Sequence, residues 1–322
     1  MKVELPGLFD LQVNGFAGVD FNDPATTQED LARAIVALRA TGVTRFLPTL
    51  ITGSADRFFA CARLLAACPD PAVAGLHMEG PYLAPEAAGA HPDAHLAPPS
   101  FEDFSRRQEA AGGRILLVTI APEVPGALPF IERLVAAGVR VAIGHTAAGP
   151  DAIRDAVRAG ATISTHLGNA CPLLLPRHPN LIWEQLAADE LTACLIVDGH
   201  HLPPSVVKVM VRAKLLGKTV LVTDAVAAAA QPPGRYWLGE VPVELSAAGR
   251  VTIVGTDRLA DSALTLDVAL ANTVRFTGCS LQEVAPLAST QPAAAVGRTT
   301  AGRVLANHDP VTGALAIERV EL

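Results

Sequence analysis

The sequence predicts an α/β protein, a (βα)8 TIM-type barrel, on three observations. Eight short apolar segments are spread along the 322 residues. Their ends carry polar residues that can do chemistry: Gln12, Asn14, Glu79, Glu123, His145, His166, Asn169, His200, His201 and Asp224. Ala-rich stretches with helical spacing separate them. Short runs rich in Val, Ile, Leu and Thr read as strands of a parallel sheet covered on both faces. Closed into a barrel, such strands bring their C-terminal ends to one face, where barrel enzymes carry their active sites.

Strands are expected at Leu8–Asn14, Thr44–Thr49, Ala72–Glu79, Ile115–Glu123, Arg140–His145, Thr162–Asn169, Ala193–His201 and Thr219–Asp224. The first helix is expected over Thr27–Thr41, where Leu31, Ile35 and Leu38 share a face behind a Thr-Gln-Glu-Asp cap. Asp56–Ala67, Leu128–Ala137, Pro150–Ala159 and Ser205–Leu216 repeat the pattern. Gly138 and Gly160 stand just beyond two of these helices, as C-terminal caps do. Pro85–Phe104 reads as a long irregular connection, of the kind that is usually functional. Residues 232–257 break the rhythm with short alternating runs, and an antiparallel β-hairpin inserted after the eighth strand is expected there. Helices follow at Leu264–Thr277 and Ser280–Ala288, with a short one in TQPAAAVG. Residues 303–322 read as a strand pair turning at Asp309–Gly313. The whole chain, 1–322, is read as one barrel domain with these two appendages.

Composition narrows the function. The net charge is −7, and the Lys and Arg residues are dispersed, so no basic stripe points to nucleic acid or a membrane surface. The mean hydropathy is +0.33, yet no apolar stretch has the length of a membrane span. The five cysteines form no CxxC pair, and several sit in apolar runs, as free thiols of a reducing compartment do. MKVELPGLFD shows no secretory pattern, so a soluble cytoplasmic protein is expected.

His145 and His166 each close an expected strand, and two neutral imidazoles on neighbouring barrel strands can converge on a cation such as zinc. Glu79 adds a carboxylate, and three protein ligands with an open position make a catalytic rather than a structural metal site. His77 points the same way as Glu79, but Glu79 lies nearer the mouth. Asp224 fits two readings, a base that takes a proton from an activated water and a helix cap before an Ala run. Glu123 reads as a turn residue, and spacing alone leaves His91 and His95 facing solvent.

In order and spacing, PGLFDLQVNG, FLPTLIT, GLHMEGPYLAPEAAGAHP, IGHTAA, STHLGNA, VDGHH, LVTDA and LADSALTL resemble the N-acetylglucosamine-6-phosphate deacetylases of the amidohydrolase superfamily. The similarity runs from Pro6 to about Gly297, and the motifs are specific in combination. The resemblance implies Glu79, His145 and His166 as metal ligands and Asp224 as the catalytic aspartate. It implies His91 as the loop histidine at the substrate carbonyl, with His77 as the second choice of donor. It implies Asn169 and Ala170 at the sugar phosphate, His201 gripping substrate, and Arg177 binding phosphate from its own or a neighbouring subunit. Gln12-x-Asn14 stands where a two-metal member has His-x-His, which implies one divalent ion, zinc first, with Fe2+, Mn2+ or Co2+ as alternatives. The partner implied is a small amino-sugar phosphate, and the assembly implied is a homodimer.

Some features depart from that family. The first barrel strand begins almost at Met1, so a family-type β-sandwich would have only residues 303–322 as a remnant. Gly168 replaces an aromatic residue, which would widen the pocket or loosen a loop, and Asp261 replaces a glycine near the sugar site. Three readings follow: deacetylation of N-acetylglucosamine 6-phosphate, hydrolysis of another acetylated sugar or a cyclic amide at the same site, and a non-catalytic barrel that senses a sugar phosphate.

Overall fold

The eight expected barrel strands all form. The computed structural model describes Met1–Leu322. The chain begins with β1 (Lys2–Pro6), β2 (Leu8–Val13), the small pair β3 (Gly15–Phe16) and β4 (Val19–Asp20), α1 (Gln28–Ala40), β5 (Val43–Leu50) and α2 (Ala55–Ala66). The middle runs through β6 (Leu76–Glu79), α3 (Phe101–Ala110), β7 (Ile115–Ile120), α4 (Ala127–Ala136), β8 (Arg140–Ile143), α5 (Pro150–Arg158), β9 (Ile163–Ser164) and α6 (Leu181–Ala187). Then come β10 (Thr192–Leu195), α7 (Pro204–Lys214), β11 (Thr219–Leu221), β12 (Gly234–Leu238), β13 (Val241–Leu245) and β14 (Val251–Ile253). The last elements are α8 (Leu266–Thr277), α9 (Leu281–Val284), α10 (Thr290–Ala295), β15 (Arg303–His308) and β16 (Leu315–Glu321).

The barrel sheet has the order β11-β10-β9-β8-β7-β6-β5-β2. Every neighbouring pair in it is parallel. The ring closes just past the ends of β2 and β11: Asp224 N donates to Gln12 O at 2.9 Å and Asn14 N to Ala225 O at 2.7 Å. Closure therefore runs through the residues that flank the chemistry. The helices follow from their caps and faces. Thr27 and Asp30 form a reciprocal capping box, and Leu31, Ile35 and Leu38 are the buried face of α1. The barrel and its helices share one cluster of 77 buried apolar residues.

Four expectations need correction. Pro85–Phe104 is not irregular to its end, because α3 starts at Phe101, capped by Ser100 and burying Phe104 and Arg107. Arg107 hides that face from a pattern search, since its guanidinium lies over the Phe58 ring at 4.6 Å and bonds Asp103 at 2.7 Å. Helix α6, capped by Asn180, was also not anticipated, being only seven residues long. The insertion at 232–257 is a three-stranded antiparallel meander, β12-β13-β14, where a two-stranded hairpin was expected. It has its own small core around Leu238, Val243, Leu245 and Val251. Residues 303–322 do not stand alone: β1 pairs with β15, and β15 with β16, in one antiparallel sheet. Strand β1 was not anticipated, because a lone short strand shows no partner in the sequence.

Candidate metal centre and active site

Three ligand atoms meet at the barrel mouth. Nε2 of His145 and Nε2 of His166 each lie 3.1 Å from Oε1 of Glu79, and the two nitrogens are 3.2 Å apart. All three side chains are buried. Glu79 is the last residue of β6, while His145 and His166 follow β8 and β9. His145, His166 and Asp224 all take positive φ (49°, 26° and 53°), a region that side chains rarely occupy. The strained turns sit just where each strand gives up its chemical group, as they do at functional sites.

The triad fits a divalent cation. Nδ1 of His145 faces the Ala87 carbonyl at 3.1 Å, which only an N–H can satisfy, so the neutral ring turns an Nε2 lone pair to the centre. Burial, and then the nearby His91, push the His145 imidazole down to about 4, so it is a neutral ligand near pH 7. Burial works to raise the affinity of Glu79 for a proton, but the surrounding His145, His166 and His91 hold its carboxyl well below the ordinary value of 4.5. A carboxylate and imidazole lone pairs this close repel one another unless positive charge lies between them. Donors about 2.1 Å from a tetrahedral zinc stand about 3.4 Å apart, which is close to the spacing seen.

The amides Gln12 and Asn14 each tie down one carboxylate. Gln12 Nε2 donates to Glu79 Oε1 at 2.8 Å, and Asn14 Nδ2 donates to Asp224 Oδ1 at 2.7 Å. Asp224 is therefore held beside the triad, where the charges of Glu79 and His166 act on it. No helix follows Asp224, whose carbonyl accepts from Ser262 N at 2.9 Å, so the helix-cap reading is corrected. Burial, then the Glu79 charge, raise its pKa above the ordinary 3.8. One layer below, Asp10 accepts from Thr223 Oγ1 at 2.6 Å and secures the strand end that carries Asp224.

His91 is also buried here, although spacing alone had left it in solvent. Its Nε2 lies 3.6 Å from Glu79 Oε2, and its ring is 4.3 Å from that of His145. His77 does not reach the pocket as a free donor. Its Nε2 contacts Thr119 Oγ1 at 2.8 Å and its Nδ1 contacts Thr49 Oγ1 at 3.3 Å, so both nitrogens are engaged inside the barrel. Burial pushes this imidazole down to about 4. His77 is a floor under the site, and its reading as a substrate donor is corrected. Glu123 accepts from Thr146 Oγ1 at 2.6 Å and pins the turn after His145, as a turn residue would.

The remaining expected contacts lie around the rim. Nδ1 of His201 is 2.7 Å from Asp198 Oδ2, and His201 acts electrostatically on Asp224. Sequence reasoning gave Asp198 no role, although it stands in VDGHH; burial works against its charge, but His201 and its neighbours hold its pKa below 3.8. Asn169 N and Nδ2 both bond the His166 carbonyl, at 3.0 and 3.2 Å, and Ala170 follows at φ +45°. Arg177 is exposed and makes no ion pair within the chain. His200 turns away, to the Ala248 carbonyl at 3.1 Å. Gly168 does not open space: a Cβ there would stand 3.0 Å from Met210 Cε and 3.4 Å from Leu202 Cδ2. Asp261 lies beside the site in a left-handed turn (φ +52°), with Oδ2 buried and unpartnered. Burial, then Asp224 and Glu79, raise its pKa well above 3.8.

Gly80 shows how tightly this region is built. Its φ is +79°, and a Cβ would fall 2.2 Å from Thr52 Oγ1. Gly80→Ala is expected to cost about 2 kcal/mol and to lower Tm by about 5 °C, with turnover reduced because Thr52 contacts His91. Thermal melting and steady-state kinetics check this, and a variant equal to wild type in both refutes it.

A (βα)8 barrel with this Glu–His–His cluster and a neighbouring aspartate at its mouth defines a metal-dependent amidohydrolase. No protein-family model matches the chain. It is 36% identical to human N-acetylglucosamine-6-phosphate deacetylase over 310 residues, 92% of this chain and 75% of the relative. It is 33% identical to N-acetylgalactosamine-6-phosphate deacetylase of Escherichia coli O157:H7, over 91% of this chain and 78% of the relative. A crystal structure of the Mycobacterium smegmatis N-acetyl-D-glucosamine-6-phosphate deacetylase, a mutant in complex with N-acetyl-D-glucosamine-6-phosphate, superposes with TM-score 0.92 at 31% identity, covering 99% of this chain and 86% of that one. The chain belongs to the N-acetylglucosamine-6-phosphate deacetylase family.

Proposed function

We propose that this chain hydrolyses the acetamide of N-acetylglucosamine 6-phosphate to glucosamine 6-phosphate and acetate. The observation that carries the reading is Asp224, held by Asn14 beside the converging Glu79, His145 and His166. The substrate named for the Mycobacterium smegmatis complex supports the choice of sugar.

Glu79, His145 and His166 would hold one divalent ion, zinc being the best match to two imidazoles and a carboxylate, with Fe2+, Mn2+ or Co2+ as alternatives. When bound, the ion supplies a water of lowered pKa and polarises the acetamide carbonyl. Asp224 takes the proton of the attacking water and returns it to the amine nitrogen as the C–N bond breaks. His91 donates from Nε2 to the carbonyl oxygen as negative charge develops there. His201, held by Asp198, and the Asn169–Ala170 backbone orient the sugar, and Arg177 takes the phosphate.

Leu173 and Leu174 are 102% and 92% exposed in the segment that carries Arg177, which suits a homodimer whose partner covers that segment. No helix is long and apolar enough to cross a membrane. Five free cysteines, three of them buried, suit the cytoplasm.

A second reading, N-acetylgalactosamine 6-phosphate as substrate, is favoured by the Escherichia coli relative. Acetate release by the zinc-loaded protein from both phosphorylated sugars and from free N-acetylglucosamine separates the readings. The expected result is fastest turnover of N-acetylglucosamine 6-phosphate, with Arg177→Ala raising KM about tenfold for the phosphorylated sugar alone. Release from the galactose epimer only would replace the first reading with the second, and no release from any amide would end both.

A further inference from the structure

We propose that Thr52 is a positioning residue that sets the tautomer of His91, so that the ring presents an N–H, and not a lone pair, to the reaction centre. The inference rests on the role given above to His91, and its geometry is independent of that role. The backbone N–H of Thr52 lies 3.2 Å from His91 Nδ1, and Thr52 Oγ1 lies 2.8 Å from the same atom. A backbone N–H can only donate, so Nδ1 must accept. In a neutral imidazole with an accepting Nδ1, the proton is on Nε2. Nε2 is the atom aimed at the centre, 3.6 Å from Glu79 Oε2.

The opposite tautomer would set Nδ1–H against the Thr52 N–H and turn a lone pair towards a carbonyl oxygen. That oxygen gains charge during amide hydrolysis and needs a donor. Thr52 is itself held in place. Asn22 Oδ1 accepts from the preceding Ile51 N at 2.9 Å, and Asn22 Nδ2 donates to Thr49 O at 3.0 Å. Asn22 N bonds Asp20 Oδ1 at 2.9 Å, and Asp20 Oδ2 accepts from Gly239 N at 2.7 Å. The turn of the inserted meander thus braces the strand end that carries Thr52. From the other side, Glu240 in the same turn lies 3.2 Å from His95 in the loop that carries His91. This connection gives the meander a mechanical role that its sequence does not suggest.

The test uses the full-length, zinc-loaded protein. Nitrogen–proton correlation NMR of the histidine rings is expected to show His91 protonated at Nε2 and bare at Nδ1. Thr52→Val keeps the shape and the backbone N–H and removes the hydroxyl; His91 is expected to stay protonated at Nε2 while kcat falls about tenfold, the effect of one lost hydrogen bond holding the ring, with KM within about twofold. Thr52→Ser is expected to restore kcat to within about twofold of wild type. A wild-type ring protonated at Nδ1 would overturn the proposal, and so would a Thr52→Val protein with unchanged kcat. The wild-type spectrum needs no variant, so a Thr52→Val chain that does not fold leaves that arm decisive. A protein with the expected tautomer that releases acetate from no amide would refute the functional reading and leave the tautomer assignment standing.

Discussion

Asp224→Asn is expected to lower kcat about a thousandfold while leaving bound metal unchanged. Asparagine keeps the size of the side chain, and its Oδ1 can still accept from Asn14 Nδ2, which bonds Asp224 at 2.7 Å. What disappears is the ability to take a proton from water and hand it to the leaving amine. Burial and the Glu79 charge raise the proton affinity of Asp224, which suits a group that must hold that proton between the two steps. Steady-state acetate release together with metal analysis of the same samples checks this. A variant as active as wild type would remove Asp224 from the mechanism. Loss of activity accompanied by loss of metal would instead make it part of the metal site.

The second large effect is expected on removing the cation. Stripping the protein with a chelator should abolish turnover, and zinc should restore it. Because a ligand that binds only the folded state stabilises it by mass action, zinc at about a thousand times its dissociation constant adds about 4 kcal/mol. Glu79→Gln is expected to abolish both the turnover and the zinc-dependent rise in Tm. The folded apo-variant is expected to be less stable than the wild-type apo-protein, since the folded state holds the Glu79 carboxyl well below its ordinary value and so gains stability from its charge near pH 7. Melting curves with and without zinc separate loss of the metal from loss of the fold. An unchanged zinc response in Glu79→Gln would mean that the ion binds elsewhere.

Much of this architecture was legible before any coordinates. Thr27-Gln28-Glu29-Asp30 with Leu31, Ile35 and Leu38 specified α1 through local capping and period, and the structure has both. Helix α3 escaped because its inward face includes Arg107, a charged residue whose apolar stem and ring stacking make it a core group only when Phe58 arrives from another helix. Strand β1 escaped because its partner β15 lies 297 residues away even at the nearest pair, Pro6 with Arg303. Such pairing leaves no local signature.

The site divides in the same way. Glu79, His145, His166 and Asp224 stood out because each follows an apolar run whose end must lie at the barrel mouth. His91 and His77 were both present in the motifs; spacing alone left His91 facing solvent, and the resemblance put it first at the substrate carbonyl with His77 second. His91, in a loop, folds back against Thr52, while His77, in a strand, is consumed by the hydroxyls of Thr49 and Thr119. A strand-end side chain has its direction set by the pleat, but a loop side chain has its direction set by whatever it packs against.

By itself the amino-acid order determined the barrel, the family and the set of groups able to do chemistry, because strand period, helix caps and residue type are local properties. Only the tertiary structure decided which nitrogen faces which oxygen. Those choices depend on contacts between residues far apart along the chain, such as Gln12 to Glu79, Asn14 to Asp224 and Thr52 to His91, and such contacts exist only once the ring of strands has closed.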